Sequence, residues 1–595
     1  MFVDPDTMDV LISAGRQQDT KLILRPSKVH MTGLAGRNQF IAIQADIAGP
    51  FADLVTLLHH PKIKILDRRP IPMQNPSGQV NGVLAVNFPL KNSLTFDNVA
   101  LHAIGKLANG HAGGIAAGRD IDRAALDYDV DNEGLKISGT ADLSGIPSQL
   151  KVDMDFRNGP PSQVMEQIAV TTTVTPKQLA GVGLNTEGLL VGSIGVQLTY
   201  LDRRDTTGDV LLAADLRQAG VSGGRIDWTK TVGEAGKLDA HALLKAGKLV
   251  SVERLHGEAP GLSIDASADA AGGRPNLVKI RRFVIGQTTD VTGEIQFPAH
   301  DGEGYVARIA GRSLDVSPEF DRKAPSKAAD APDSKTPPFK IDARINRVLL
   351  AGGRELTNVI ATVDNDGTIT RTARLSATAG TGPVAITLTP VKGGRKLAAE
   401  AQDAGALLRT LDVIQTMSGG RLLVTGEYDD ADPAHPLRGT ADITDFRIRN
   451  APSIGRILQG MSLYGLVELA RGPGLGFTRL VAPFRLRREV LSLDDARAYS
   501  ASLGLTAKGS IDLAHSTADI EGTVIPAYFL NSLLGRVPLL GRLFSPEKEG
   551  GLFAATYSVH GKLDDPSVGV NPLAALTPGF LRGFFDIFDS TPAKR

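Results

Sequence analysis

The chain has 595 residues, 42% of them hydrophobic and 22% charged. That balance can bury a large apolar surface and excludes a disordered polymer. Lys plus Arg and Asp plus Glu stand at 65 each with no long run of one sign, which excludes the basic footprint of a nucleic-acid binder, and the absence of cysteine excludes disulfides, thiolate metal sites and a Cys nucleophile.

The opening residues, MFVDPDTMDV, lack a basic region followed by an apolar one, so no signal peptide or N-terminal anchor is expected in the chain. No uninterrupted apolar stretch of about 18 residues follows, and the expectation is a soluble or peripheral protein. In GPFADLVTLLHHP, residues Phe51, Leu54, Val55 and Leu58 fall at helical spacing, predicting a short amphipathic helix. His59 and His60 at its end suit the helix dipole better than a metal, because no third ligand stands at a fitting distance in the sequence. VTPKQLAG predicts a second helix, with Thr175 as cap and Pro176 at the first helical position.

Between and beyond these helices, alternation is the commonest signal. Segments such as LKISGTADLSG, QLKVDMDF, GSIGVQLTYL and VTGEIQF read as half-buried strands about ten residues apart. The stretch 321–338, DRKAPSKAADAPDSKTPP, lacks periodicity and predicts a linker or surface loop between a region 1–320 and a region 339–595. Just after it, FKIDARINRVLL puts Phe339, Ile341, Ala343 and Ile345 on one face and Lys340, Asp342, Arg344 and Asn346 on the other. Turn signals at Gly352-Gly353, Asp366-Gly367 and Gly419-Gly420 suggest consecutive hairpins. DAGALLRTLDVIQTMSGG predicts a helix capped by Asp403, with Leu407, Leu411 and Ile414 on one side, ending at Gly419-Gly420.

Three apolar segments close the chain. APSIGRILQGMSLYGLVELA carries Ile454, Ile457, Leu458 and Met461 at helical spacing. In GTVIPAYFLNSLLGRVPLLGRLF, Pro526 can start a helix with Tyr528, Phe529, Leu533 and Leu534, Gly535 can stop it, and Pro538 opens a second piece with Leu539 and Leu540. At ~1.5 Å per residue such pieces are too short for a ~30 Å hydrocarbon core, so neither spans a membrane. TPGFLRGFFDIFD places Phe580, Leu581, Phe584, Phe585, Ile587 and Phe588 on one face after the cap Thr577, with Arg582, Asp586 and Asp589 opposite. Two readings stand side by side for these segments: they plug the sheet and cover its apolar face, or they gate a groove mouth or lie among lipid headgroups.

No catalytic constellation emerges. GPGLGF at 472–477 lacks the lysine of a phosphate-binding loop and reads as a turn, while Asp564 and Asp565 before Pro566 read as turn-forming rather than as an acid/base pair. Neither the nucleophile-elbow nor the zincin pattern occurs, and no enzyme, metal or cofactor is expected.

The blocks DAGALLRTLDVI…GGRLLVTGEYDD, GTADITDFRIRNAPSIGRILQGMSLYGLVELARGPGLGFTRLVAPF, GTVIPAYFLNSLLGRVPLLGRLF and GGLFAATYSVHGKLDDPSVGVNPLAALTPGFLRGFF resemble, in that order, the AsmA-like C-terminal domain family and its YhdP branch. The likeness covers about 400–588, and 20–315 is less specifically similar to the branch's central region. It implies a mainly β protein, a long twisted antiparallel sheet curled into an apolar, taco-like groove, with short amphipathic helices inserted and clustered near the C-terminus. It implies bridge-like, non-enzymatic transfer of phospholipid between the inner and outer membranes of Gram-negative bacteria, hence outer-membrane biogenesis and integrity, from a membrane-associated periplasmic position. The implied partners are phospholipid acyl chains, a membrane surface and inner- or outer-membrane proteins. The inner-membrane helix usual in the family is not expected within this sequence, which is also much shorter than the family branch it resembles; on the resemblance, either the N-terminus is truncated or mis-started, or another protein supplies the anchor. On that resemblance Phe339, Ile341, Ala343 and Ile345 become groove-lining candidates, and the apolar residues of the three closing segments become groove-mouth or membrane-contact candidates. The alternative is a scaffold with the same sheet fully covered, regulating outer-membrane assembly without carrying lipid.

Overall fold

The computed structural model describes residues 6–59, 73–91, 98–116, 118–224, 226–300, 302–320, 337–449, 455–457, 474–500, 503–526, 555–563 and 565–571. The protein is mainly β, and internal contacts divide it into two compact units, Met1–Gln287 and Thr288–Arg595. Most of 321–338 lies outside the described residues. The strands flanking it, Tyr305–Asp315 and Phe339–Leu350, pair in parallel within the second unit.

In the first unit an antiparallel meander runs from Phe40–Pro50 through Gln74–Pro89, Ala100–Ala116 and Arg119–Asp131 to Arg274–Ile285. In the second, Phe339–Leu350 pairs with Arg354–Asn365, then Thr370–Ala379, Gly382–Val391, Gly394–Ala401 and Met417–Asp429, and the meander continues to Ser567–Asn571. Antiparallel neighbours need only short connections, and reversal of each strand sends those connections alternately to two rims. The hairpin at Asp366-Gly367 forms as its sequence predicts: Gly367 sits at φ 96°, and the Asp366 carboxylate accepts from the amides of Thr368 and Ile369, each at 2.9 Å.

Among the described residues, short helices interrupt the strands, including α1 (Phe51–Leu58), α2 (Pro176–Gly181), α3 (Ser317–Phe320) and α4 (Ala404–Thr410). The α4 start is the predicted one, the Asp403 carboxylate accepting from the Ala406 amide at 2.8 Å. Its end is earlier than predicted. The helix stops at Thr410, Asp412 takes φ 60°, and Gly419 and Gly420, at φ 66° and 87°, lie inside the strand Met417–Asp429 instead of forming a turn. Their freedom at positive φ lets that strand kink beside Asp445 at φ 55°. A bulge at Asn358, where the register skips from Thr357 to Ile360, bends Arg354–Asn365 in the same way.

Two polar groups are buried against expectation. Lys230, only 2% exposed, donates to the carbonyls of Leu216 and Ala219 at 2.8 Å and of Thr231 at 3.1 Å, tying a small sheet of Leu190–Gly192, Ala219–Ser222 and Thr229–Lys230 to the chain that enters it. All three ammonium protons are thus satisfied. Arg395, 6% exposed, lies 4.3 Å above the Tyr428 ring and meets Asp430 in a two-pronged pair, with Nη2 to Oδ1 at 2.7 Å and Nε to Oδ2 at 2.9 Å; Nη1 reaches the Thr370 carbonyl at 2.9 Å.

The Arg395 guanidinium, and after it His435, holds the Asp430 carboxyl below the usual aspartate range although burial opposes this. Because the folded-state value is depressed, this stabilisation is complete above the unfolded aspartate value of about 4 and is lost as pH falls through the folded one. Asp430→Asn is expected to cost about 3 kcal/mol near neutral pH, since it leaves a buried guanidinium without its counter-charge, and to flatten the loss of stability on the acid side. Urea unfolding at about pH 7 and about pH 3 measures both effects.

Candidate functional site

Side chains alternate across a strand, so the face on which a residue lies is set by its parity, and the register then sets its neighbours. In the second unit the register aligns apolar with apolar from strand to strand. Ala343 pairs with Ala361, Ala361 with Leu375, Leu375 with Ile386, Ile386 with Ala399 and Ala399 with Val424. A parallel row runs through Ile341, Val363, Ala373, Leu388 and Leu397. A third joins Ala377, Val384, Ala401, Leu422 and Ile443, beside the pair Ile345 and Val359.

The opposite face is mostly polar, with Ile360 and Leu423 exposed on it. Lys340 faces Asp364 and bridges it at 3.2 Å, while Asp342, Thr362, Arg374 and Thr387 form the next row. The four candidates on Phe339–Leu350 therefore share the apolar face.

Burial separates the rows. The third is closed over: Ala401 is 2% exposed and Val384 3%, in a cluster with Ala404 and Leu407 of α4, Met417 and Phe446, and Ile345 beside the row is 2% exposed. Phe339, Ile341, Ala343, Leu375, Ile386, Ala399 and Val424 are only half-buried. Stacked sheets bury the central rows of both inner faces, so half-burial along the middle of the ladder marks a face left partly open among the described residues.

Position of the connections adds to this. In the second unit α4 and the strand ends Ile448, Leu475, Pro526, Ala555 and Asn571 stand at one rim, whereas the other rim carries the hairpins 366–369, 392–393, 430–436, 488–489 and 513–516. The first unit follows the same rule, with α1, α2 and the small sheet at one rim and hairpins such as 132–133 and 246–247 at the other.

Of the groove-mouth candidates, Ile457 is described: it is 4% exposed and belongs to the buried cluster around α4. Next to it, Arg456 donates to the Pro566 carbonyl at 2.9 Å and to Asp565 at 3.1 Å, so Asp565 is engaged in an ion pair. Ile454, Leu458, Met461, Tyr528, Phe529, Leu533, Leu534, Leu539, Leu540, Phe580, Leu581, Phe584, Phe585, Ile587 and Phe588 lie outside the described residues. His59 closes α1, and His60 is outside the described residues. Among the described residues no three His, Asp or Glu side chains converge as metal ligands would, and no helix is long and apolar enough to cross a membrane.

Three aromatic residues of the apolar faces were not singled out by the sequence. Tyr128 stands in register with Gly105, which pairs with Gly82. Phe484 stands likewise with Gly439 and Gly426, and Tyr557 with Gly522 and Ala507. The Tyr557 hydroxyl donates to the Thr506 carbonyl two strands away at 2.7 Å, and burial pushes its pKa up to about 12. Burial also raises that of Tyr128, whose hydroxyl reaches the Asn81 carbonyl at 3.4 Å. Only pairing of strands tens of residues apart brings these groups together, so periodicity carries no sign of them.

No family model, curated protein or solved structure matches the chain.

The absence of cysteine makes the open rows easy to map. Single-cysteine variants at Ala343, Ala399 and Ala441, on half-buried positions of the apolar face, are expected to react readily with a water-soluble maleimide. Ala401→Cys and Ala379→Cys, at 2% and 0% exposure, are expected to react at least tenfold more slowly, because labelling there waits for local opening. Leu407→Ala, which removes the buried α4 anchor, is expected to cost about 3 kcal/mol in chemical unfolding and to speed labelling at Ala401→Cys.

Proposed function

We propose that the protein is a non-enzymatic lipid carrier. Its apolar face forms part of a groove along which phospholipid acyl chains move between two membranes, in the manner implied by its resemblance to the AsmA-like family. The observation that carries this reading is the half-buried aliphatic row from Ala343 to Val424, with half-buried Ile341, Val363, Ala373 and Leu397 beside it, on one face of a ladder whose other face is mostly polar.

The physics is that of partition. An acyl chain laid on these rows loses water at ~0.8 kcal/mol per methylene, while the headgroup stays wet at the rim. The rows are built mainly of Ala, Val, Leu and Ile, and one short aliphatic contact resembles the next. A chain can therefore slide without meeting a deep well. Sequence segments rich in Leu and Phe leave the ladder at a single rim, where cargo entering from a bilayer would first meet the protein. On this reading the protein works in a periplasm between inner and outer membranes, with a membrane surface and membrane proteins as partners, and supports the integrity of the outer membrane.

The scaffold reading differs in one respect: the apolar face is wholly covered by protein, and no lipid is carried. Native mass spectrometry of the purified chain is expected to return co-purified phospholipid, and photo-crosslinking residues placed at Ile341 and Ala343 are expected to capture it. Capture should fall at Ile345, which is 2% exposed, and vanish at Asp342 and Arg344 on the polar face. A lipid-free protein, or equal capture on both faces, would return the molecule to a scaffold.

A further inference from the structure

The inner rows contain three interruptions of one design. Reading along the register, Gly82, Gly105 and Tyr128 follow one another on consecutive strands of the first unit. Gly426, Gly439 and Phe484 do so in the second, as do Ala507, Gly522 and Tyr557. In each case the aromatic residue lies on the later strand and the glycine on the strand before it.

The glycines are occupied space. A Cβ placed on either Gly82 or Gly105 would collide with the Tyr128 hydroxyl. One placed on Gly522 would come within 2.5 Å of the Tyr557 hydroxyl and 2.6 Å of its Cζ, and one on Gly439 within 3.0 Å of the Phe484 Cζ. Each ring thus lies down across its neighbouring strand instead of standing up from its own. The tyrosines are also held at the far end, Tyr557 at the Thr506 carbonyl and Tyr128 at the Asn81 carbonyl. Glycine in a strand interior is a weak choice unless something must approach the backbone closely, and here a carbonyl of the neighbouring strand and a ring both do.

We infer that these recumbent rings level the floor of the apolar track and so set the rate at which an acyl chain slides over it. This rests on the carrier reading above. A bare glycine pair would leave a pit in the row, and an upright ring would leave a step. Laid over the glycines, the ring fills the pit and removes the step at once. Tyr128, Phe484 and Tyr557 are then positioning residues for the cargo, and their substitution alters how long lipid dwells rather than whether it binds.

The test uses the full chain loaded with pyrene-labelled phosphatidylglycerol and follows release into phosphatidylcholine vesicles. Tyr128→Ala and Phe484→Ala reopen the pits, and release is expected to slow by roughly fourfold for each methylene that settles into one. Tyr128→Phe, which keeps the ring, is expected to release at the parent rate. A role confined to stability predicts the opposite pattern: a lowered melting temperature in the alanine variants with release unchanged or faster, which overturns the inference while leaving the carrier reading standing. Failure of the unaltered chain to take up the labelled lipid overturns both.

Discussion

The architecture depends on register. A pleated strand separates its side chains into two sets with no help from tertiary structure, but a continuous apolar face needs every strand to meet its neighbour at the right parity. A slip of one residue between Thr370–Ala379 and Gly382–Val391 would put Leu375 and Ile386 on opposite faces and break the row that joins Ala343 to Val424. Short hairpins such as Gly380-Thr381 and Gly393 hold that parity by leaving little slack. Where a strand must bend, the bulge at Asn358 and the kink at Gly419 and Gly420 absorb the change locally.

Covering the apolar face is a second and separate problem. A helix of seven residues is only about 10 Å long, so α4 can shelter the row nearest its own rim and little more. That is where burial is complete, at Ala377, Val384, Ala401 and Leu422. One row further in, at Leu375, Ile386, Ala399 and Val424, exposure rises, although the residues are no less apolar. The gradient runs across the strands while composition stays constant, so coverage, not residue choice, divides the face into a packed margin and an open middle. Outward ion pairs such as Lys340 with Asp364 contribute little to this, being largely solvated; the one between Arg395 and Asp430 differs because it is enclosed and stacked on Tyr428.

Local chemistry was legible in the sequence, and non-local chemistry was not. The face of Phe339–Leu350, the Asp403 cap and the Asp366-Gly367 turn depend on residues within four positions of each other, and each formed as its pattern predicts. Gly419 and Gly420 misled because a glycine pair supplies positive φ equally to a hairpin and to a kink inside a strand. Alternation placed Ile341, Ala343 and Ile345 on one face but could not rank their exposure, since the cluster that closes over Val359, the register partner of Ile345, includes Ala404 and Leu407 of α4, far along the chain. Lys230 was unreadable for a related cause: the carbonyls of Leu216 and Ala219 come to it only when the small sheet assembles.

The same distinction bears on what a carrier's track requires. Affinity for an alkyl chain comes from apolar area, which any alternating sequence supplies, but even affinity along the track demands that adjacent strands compensate one another's volume. Compensation cannot be written into one strand. It appears here as a tyrosine, Tyr128, and a phenylalanine, Phe484, each with two glycines in line on the strands before it. A covered scaffold core has no use for a level surface: ridges and pits interlock, and large side chains facing small ones pack best upright against an opposing layer. On the carrier reading proposed above, the rings of Tyr128 and Phe484, lying over the neighbouring strand, suit a surface over which something else passes.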